Sequence, residues 1–125
     1  MIQVIVLVFV LLIAIDSIWL FLMRNFYNKA IGENMKTKPN LWAASLFYVL
    51  YSIGVTIFVV NSSESLLQGL LLGFLFGVIA YATYDLTNLT TLKNWSVKMT
   101  VIDIAWGGIL TSIVSLVTIY LINIL

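Results

Sequence analysis

The sequence predicts an all-α protein: a polytopic membrane protein in which four transmembrane helices form one compact bundle. Of the 125 residues, 62% are hydrophobic and 9% are charged, whereas a soluble domain carries about 25% charged residues. The apolar residues form four long blocks. Each block reaches the roughly 20 residues that a helix needs to cross about 30 Å of hydrocarbon. Because a backbone in lipid must satisfy its own hydrogen bonds, each block is predicted to be a helix.

The ends of the four spans follow from local signals. The first block lacks a basic leading segment and a small-residue cleavage site, so we interpret it as a retained span and not as a secretory signal. Pro39 and Asn40 precede the second span, since proline suits a first helical turn and asparagine caps one. Within one domain of residues 1–125, the predicted spans are residues 2–23, 41–60, 66–86 and 99–123, and the longer connections are residues 24–40 and 87–98.

The basic residues are confined to those two longer connections. The turn 61–65 and both termini carry none. The positive-inside rule therefore predicts that both basic connections lie in the cytoplasm and that both termini lie outside. The six basic residues are Arg24, Lys29, Lys36, Lys38, Lys93 and Lys98.

The first connection, "RNFYNKAIGENMKTKPN", is long enough to lie partly on the membrane surface. We expect four apolar or aromatic residues to dip into the interface while the lysines meet anionic headgroups, namely Phe26, Tyr27, Ile31 and Met35. Trp42 and Trp95 lie at predicted span boundaries, where tryptophan typically anchors a helix in the headgroup region.

Polar and aromatic side chains recur at fixed spacing inside the spans. Spans 1 and 4 both contain D-x-x-W, and spans 2 and 3 both contain Y-x-x-Y. Residues three apart lie on one helix face. An acidic residue within a span is costly and normally faces a bundle interior or water. The candidate substrate-binding residues are Asp16, Trp19, Tyr48, Tyr51, Tyr81, Tyr84, Asp85, Asn88, Asp103 and Trp106.

The depth of the three aspartates favours one shared site. Asp16, Asp85 and Asp103 all fall on the cytoplasmic half, about 5–12 Å from the midplane. We expect one cavity open to the cytoplasm and lined by all four helices, where aromatic rings and carboxylates hold a cation. Each aspartate also has a structural interpretation. Asp16 would bond across helices, Asp103 would favour a helix N-terminus, and Asp85 would pair with a basic residue.

Small residues in spans 3 and 4 predict close helix packing. Glycines every four residues let a second helix approach, which is the small-xxx-small mode of membrane association. Close packing of the outer half would leave the cytoplasmic half to splay around the site. The residues predicted to form this contact are Gly69, Gly73, Gly77, Gly107 and Thr111.

Several classes of function lack support. The chain has no cysteine and no histidine, which removes disulfides, thiolate clusters and imidazole-ligated zinc or haem. No P-loop, G-x-G-x-x-G or G-x-S-x-G motif occurs, and the basic residues are too few for nucleic-acid binding. We therefore expect no cofactor and no metal site, and no catalytic residue is assigned.

The segments "DSIWL", "LFYVLYSIG" and "YATYDLTNLTTLKNW…VIDIAWGGILTS" resemble the bacterial family of small integral membrane proteins known as domain-of-unknown-function 2177. The resemblance covers nearly the whole chain and implies a bacterial inner-membrane protein of four spans. The family has no established activity, so the resemblance implies no catalytic roles. Its motif positions fall at Asp16, Trp19, Tyr48, Tyr81, Tyr84, Asp85, Thr87, Asn88, Asp103 and Trp106.

The favoured function is a small transporter or binding protein for a small cationic or amphipathic substrate, with Asp16 as the coupling or binding carboxylate. Its size and its acidic-aromatic site are similar in mode to those of the small multidrug-resistance exporters. Those exporters, however, use a lone glutamate in span 1, and their dual-topology members need a weak bias of positive charge between the loops, which this chain does not have. The alternatives are a lipid-modifying enzyme with an aspartate acid/base pair, and a structural accessory subunit. Expected partners are membrane lipids, a small-molecule or lipid-like ligand, and further copies of the chain.

Overall fold

The computed structural model describes residues 1–35 and 38–125. The protein is 86% helical, and the described residues contain no strand. Four helices in this part of the chain are long and apolar enough to cross a membrane, and they pack compactly. The predicted all-α membrane bundle is therefore confirmed. Lys36, which we counted in the first basic connection, lies outside the described residues.

Five α-helices make up the structure. Three of the four long ones begin at a capping side chain: Asn40 accepts the Ala43 N–H at 3.1 Å, and Ser65 and Ser96 cap the two helices that follow. The elements are α1 (Ile2–Leu22), α2 (Arg24–Ile31) with a 3₁₀ turn (Gly32–Asn34), α3 (Leu41–Val55) with a π-helical turn (Thr56–Val60), α4 (Leu66–Thr91) and α5 (Val97–Ile124).

Helix α4 extends five residues beyond the predicted span end at residue 86. This extension is rich in threonine, which predicts helix poorly from sequence. Each hydroxyl here is satisfied by a carbonyl one turn back, at 2.6 Å for Thr87, 2.8 Å for Thr90 and 3.0 Å for Thr91. The threonines thereby remain within the helix without competing for its N–H groups.

Helices α4 and α5 form the closest pair in the bundle. A Cβ atom added to Gly77 would collide with the backbone carbonyl of Gly107, and one added to Gly73 would lie 2.9 Å from the Thr111 carbonyl. The glycine face of α4 therefore allows backbone-to-backbone contact, and this contact sets the spacing of the two helices.

Helices α1 and α3 complete the bundle. Helix α1 packs against α5 and α3, and the fully buried Leu12, Val55 and Leu110 belong to their common core. A polar contact crosses the same core: Tyr51 lies 2.6 Å from Thr111 Oγ1. Because the Thr111 hydrogen goes to the Gly107 carbonyl, Tyr51 is the donor.

Helices α3 and α4 are in close contact only over part of their length. The backbone of α4 lies close to the π-helical turn, whereas α4 meets residues 41–55 mainly through side chains. Between them, the Tyr51 ring lies 5.5 Å from Phe76 and 6.2 Å from Tyr81, centroid to centroid. Beyond these rings lies the end of the bundle that carries α2 and the connection 92–96. We call this the basic end.

Candidate functional site

The two D-x-x-W segments meet at the contact of α1 with α5. The indole rings of Trp19 and Trp106 are stacked, with centroids 4.3 Å apart and planes 6° from parallel. Since α1 and α5 run in opposite directions, each tryptophan lies near the aspartate of the other helix. The stack therefore joins the two motifs into one polar-aromatic network.

Asp16 lies at the centre of this network and is only 6% exposed. Its Oδ1 accepts the Trp106 Nε1–H at 2.9 Å, and its Oδ2 accepts the Tyr48 hydroxyl at 2.6 Å. Each oxygen thus has its own donor, and hydrogen bonds to a carboxylate are stronger than those between neutral groups. The Asp16 carboxylate joins α1, α3 and α5.

Asp103 is held by a side chain that the sequence analysis did not include in the site. The Tyr27 hydroxyl donates to Asp103 Oδ1 at 2.7 Å and accepts the Trp19 Nε1–H at 3.0 Å. We expected Tyr27 to dip into the membrane interface, and the structure shows in addition that its hydroxyl turns inward to bond Asp103 and Trp19. The chain bends at Met23 (φ −103°, ψ 9°), so α2 carries Tyr27 back to α1 and α5. No local pattern marks Tyr27, because its contact depends on that bend.

The environment of Tyr27 preserves its role as a donor. Burial, and then the hydrogen bond to Asp103, raise the pKa of this phenol well above its ordinary value. Both effects disfavour the phenolate, since an anion beside Asp103 would be poorly solvated and repelled. Tyr27 therefore keeps its proton at neutral pH and continues to stabilise the Asp103 carboxylate.

Asp85 differs from the other two aspartates. It is 1% exposed, and neither of its carboxyl oxygens has a donor among the described residues. Asp103 lies near enough to interact with it electrostatically. A buried carboxyl group without a donor is stable when it is protonated or when a cation lies beside it. Asp85 is thus the unsatisfied part of the site.

A cavity of about 340 Å³ lies against Asp103. Its volume is at the lower end of the range of small-molecule sites. Three helices contribute the described residues of its wall, and α1 contributes none, so our expectation of a cavity lined by all four helices is wrong. The lining residues are Phe47 of α3, Ala80, Tyr81 and Tyr84 of α4, and Asp103 of α5.

The position of Tyr81 depends on a glycine of the facing helix. A Cβ atom on Gly107 would collide with the Tyr81 ring, so the absence of a side chain there lets Tyr81 lie flat against α5. Gly107 therefore shapes the cavity wall in addition to its contact with Gly77.

The other predicted site residues lie around the cavity without lining it. Asp16, Trp19, Tyr48 and Trp106 form the network described above. Tyr51 is buried against Thr111 towards the middle of the bundle. On α4, the Asn88 carbonyl accepts the Leu92 N–H at 2.8 Å at the helix end. Trp95, expected only as an interfacial anchor, packs edge-on against Tyr84 with 6.0 Å between centroids.

Comparison with known proteins identifies the family of this chain. No curated protein and no solved structure matches it significantly. The profile of the family described as "Predicted membrane protein (DUF2177)" matches residues 1–120, a range that contains every residue of the site. The resemblance seen in the sequence is confirmed. The chain thus belongs to the DUF2177 family of membrane proteins, whose function is unknown.

Proposed function

We propose that this protein binds a small amphipathic cation in the cavity beside Asp103 and carries it across the membrane. The observation that supports this most directly is the composition of the wall: one carboxylate and three aromatic rings face the same space. Ring faces attract an ammonium ion, and a carboxylate neutralises it. No lysine or arginine is among the described lining residues, so an anion would find no counter-charge there.

The donor set favours an organic cation over a metal ion. A calcium ion takes six to eight oxygen ligands, including several carboxylates. No group of three or more acidic side chains with such an arrangement occurs in the described part of the chain. A quaternary or protonated amine, in contrast, needs one negative charge and apolar contact area, which the Asp103 cavity supplies.

The surrounding residues have positioning roles in this proposal. Tyr27 and Trp19 hold the Asp103 carboxylate, while Asp16 holds Tyr48 and Trp106 behind it. Asp85, which is buried without a donor near Asp103, supplies the coupling: a proton that it binds leaves when the cation arrives and returns when the cation leaves. Asp103, with Asp85 as its neighbour, takes the binding role that we first assigned to Asp16.

Two substitutions test the proposal. Asp103→Asn removes the charge but keeps an oxygen that accepts from Tyr27, whereas Tyr27→Phe removes that bond but keeps the charge. The probe is benzyltrimethylammonium, and its binding to the full chain in lipid nanodiscs is measured at equilibrium. We expect D103N to weaken binding at least about tenfold, since tenfold corresponds to only 1.4 kcal/mol, and Y27F to weaken it less. Equal binding by D103N and the unmodified protein would rule the site out.

A second candidate, a lipid-modifying enzyme, is favoured by the proximity of Asp103 to Asp85, whose carboxyl oxygens have no donor among the described residues. Two carboxyls that share a proton are able to act as general acid and general base on one substrate. Incubation with a total bacterial lipid extract, followed by mass spectrometry, tests this candidate. Turnover that is lost in both D85N and D103N, without loss of probe binding in D85N, would favour the enzyme over the transporter.

We further propose that the protein lies in a bacterial cytoplasmic membrane with its basic end inside and both termini outside. The charge asymmetry between the two ends supports this orientation. Alkaline phosphatase fused to the C-terminus, which is active only outside the cytoplasm, is expected to be active, and a fusion within the connection 92–96 inactive. The reverse pattern would contradict the orientation. The basic residues concerned are Arg24, Lys29, Lys38, Lys93 and Lys98, with Lys36 outside the described residues.

A further inference from the structure

The direction in which the cavity opens bears on how a ligand reaches it. We propose that the cavity opens sideways into the bilayer, through the gap between residues 41–55 of α3 and the basic-end half of α4, and that it takes a lipid-dissolved monocation from one leaflet. We call this gap the α3–α4 window. The ligand class rests on the proposed function, whereas the existence of the window does not.

Three directions around the cavity are closed. Towards the middle of the bundle, Tyr51 lies between Phe47 and Phe76, with 5.3 and 5.5 Å between ring centroids. Towards the basic end, Trp95 packs against Tyr84. Towards α1, the network of Trp19 and Tyr27 covers Asp103. We infer that these contacts hinder entry of water from the basic end.

The fourth direction is open. The backbones of α4 and residues 41–55 make few contacts, and the two aromatic residues at the edges of the window are accessible from outside, Phe47 at 44% and Tyr84 at 59%. The wall at this opening consists of aromatic rings and Ala80. Such a surface is costly to expose to water and neutral towards lipid chains.

The depth of the window is consistent with contact with lipid. Phe47, Tyr84 and Asp103 each lie six or seven residues from the basic-end terminus of their helix, which is about 10 Å along the axis. Helices α4 and α5 have 26 and 28 residues, so they exceed the roughly 30 Å hydrocarbon thickness by about 5 Å at each end. The window then lies just inside the hydrocarbon boundary.

This position determines the class of ligand. A cationic head beside Asp103 would lie slightly below the interface, and an attached hydrocarbon chain would pass through the window into the leaflet. One carboxylate faces the cavity, so one positive charge is matched. The ligand class is accordingly a monocationic amphiphile, such as a long-chain amine or quaternary ammonium compound, and not a hydrophilic polyamine.

Site-directed spin labelling tests the window without any ligand. The chain has no cysteine, so Ala80→Cys labels the cavity wall, Ala105→Cys labels an exposed position on α5 at similar depth, and Lys93→Cys labels the connection at the basic end. Collisions with oxygen report contact with lipid, and collisions with a water-soluble nickel chelate report contact with water. We expect the oxygen-to-nickel ratio at position 80 to match that at 105 and to exceed that at 93 at least about tenfold. A ratio at 80 that matches the ratio at 93 would show an aqueous vestibule and overturn the proposal.

A homologous series of ligands tests the ligand class. Hexyl-, octyl- and decyltrimethylammonium are titrated into nanodiscs containing the full chain, with protein-free nanodiscs as blanks. Access from lipid predicts that the aqueous Kd falls about fourfold per added methylene, in step with partitioning into the membrane. A site reached from water would stop gaining affinity once the cavity is full. A Kd independent of chain length therefore contradicts the ligand class. Absence of any binding that depends on Asp103 would instead refute the proposed function, and the spin-label ratio would still decide on the window.

Discussion

The indole rings of Trp19 and Trp106 stack face to face, with centroids 4.3 Å apart and planes 6° from parallel, yet their N–H groups serve different carboxylates. Trp106 donates directly to Asp16, whereas Trp19 reaches Asp103 through the Tyr27 hydroxyl. Each D-x-x-W motif thus directs its tryptophan N–H towards the aspartate of the other helix. The two differ because the Tyr27 hydroxyl lies between Trp19 and Asp103. This relationship leads to predictions that are independent of any ligand.

Replacement of Trp106 by phenylalanine keeps a stacked ring but removes the donor to Asp16 Oδ1. A buried carboxylate oxygen left without its donor costs about 1–3 kcal/mol, so we expect the free energy of unfolding to fall by that amount. Unfolding in bicelles by steric trapping measures it. Trp42→Phe is the matched control because Trp42 is 76% exposed, and it should change stability by less than about 0.5 kcal/mol. Equal effects of the two substitutions would contradict the role of Trp106.

Replacement of Tyr27 by phenylalanine should loosen α2. The substitution removes the donor to Asp103 and the acceptor of the Trp19 N–H in one step. We expect faster amide hydrogen exchange in residues 24–31, while exchange in the middle of α5 stays unchanged. Tyr120→Phe is a suitable control, since Tyr120 is 53% exposed at the far end of α5. Unchanged exchange in α2 would show that the Tyr27 contact does not hold this helix.

The raised pKa of Tyr27 predicts a pH dependence with a definite sign. An unfolded tyrosine loses its proton near pH 10, whereas the folded one keeps it, so above that pH the folded state binds more protons. Stability from this group is therefore fully present below about pH 10 and falls as the pH rises further. The decline between about pH 10 and 11 should be smaller in Tyr27→Phe than in the unmodified protein. Parallel curves for the two proteins would refute this assignment.

Substitution of Gly77 by alanine should disrupt the contact of α4 with α5. The new Cβ would meet the Gly107 carbonyl, a backbone atom that moves only if the helices separate. Overpacking typically costs about 1–3 kcal/mol, and a rigid neighbour places the expected loss in the upper part of that range. At Gly54 an added Cβ would lie 3.1 Å from the tip of the Phe76 ring, a side-chain atom that needs to shift by only a few tenths of an ångström. A smaller loss in unfolding free energy is therefore expected for G54A, and an equal or greater loss than in G77A would contradict the close backbone approach.

Two isosteric substitutions on α5 distinguish a threonine hydroxyl that has a hydrogen-bond partner on another helix from one that has none among the described residues. Thr111 accepts from Tyr51 at 2.6 Å, so Thr111→Val leaves the buried Tyr51 hydroxyl without an acceptor and should cost about 1–3 kcal/mol of unfolding free energy. The hydroxyl of Thr118 is buried with no partner among the described residues. Thr118→Val should therefore be neutral or stabilising. Unfolding free energies are measured under the same bicelle conditions. A loss in Thr111→Val no greater than that in Thr118→Val would show that the Tyr51–Thr111 bond does not stabilise the bundle.

Much of the bundle was predictable because its signals are local. The length of an apolar block, the cap at Asn40, and glycines spaced four apart depend only on neighbouring residues. The threonines at the end of α4 show the limit of such signals. Their helical state depends on hydroxyls bonding to carbonyls one turn back, and composition alone favoured an earlier end.

The candidate site was predictable as a set of residues but not as an arrangement. The three aspartates and their aromatic neighbours were selected by polarity and depth. The sequence ranked Asp16 first because it is the deepest, whereas in the structure both Asp16 oxygens have donors and Asp103 faces the cavity. Donors such as Tyr48 and Trp106 lie 32 and 90 residues away in sequence, so no local pattern assigns them.

The sequence by itself determined the class of the protein, its four membrane-spanning segments and its membership of the DUF2177 family. These properties follow from hydrophobicity summed along the chain, which is insensitive to how the helices are rotated. Only the tertiary structure decided that Tyr27 returns to Asp103, that Asp85 is left without a donor, and that α3 and α4 part beside the cavity. The physical reason is that a hydrogen bond or a gap depends on the relative rotation and separation of whole helices, and packing between distant residues sets both.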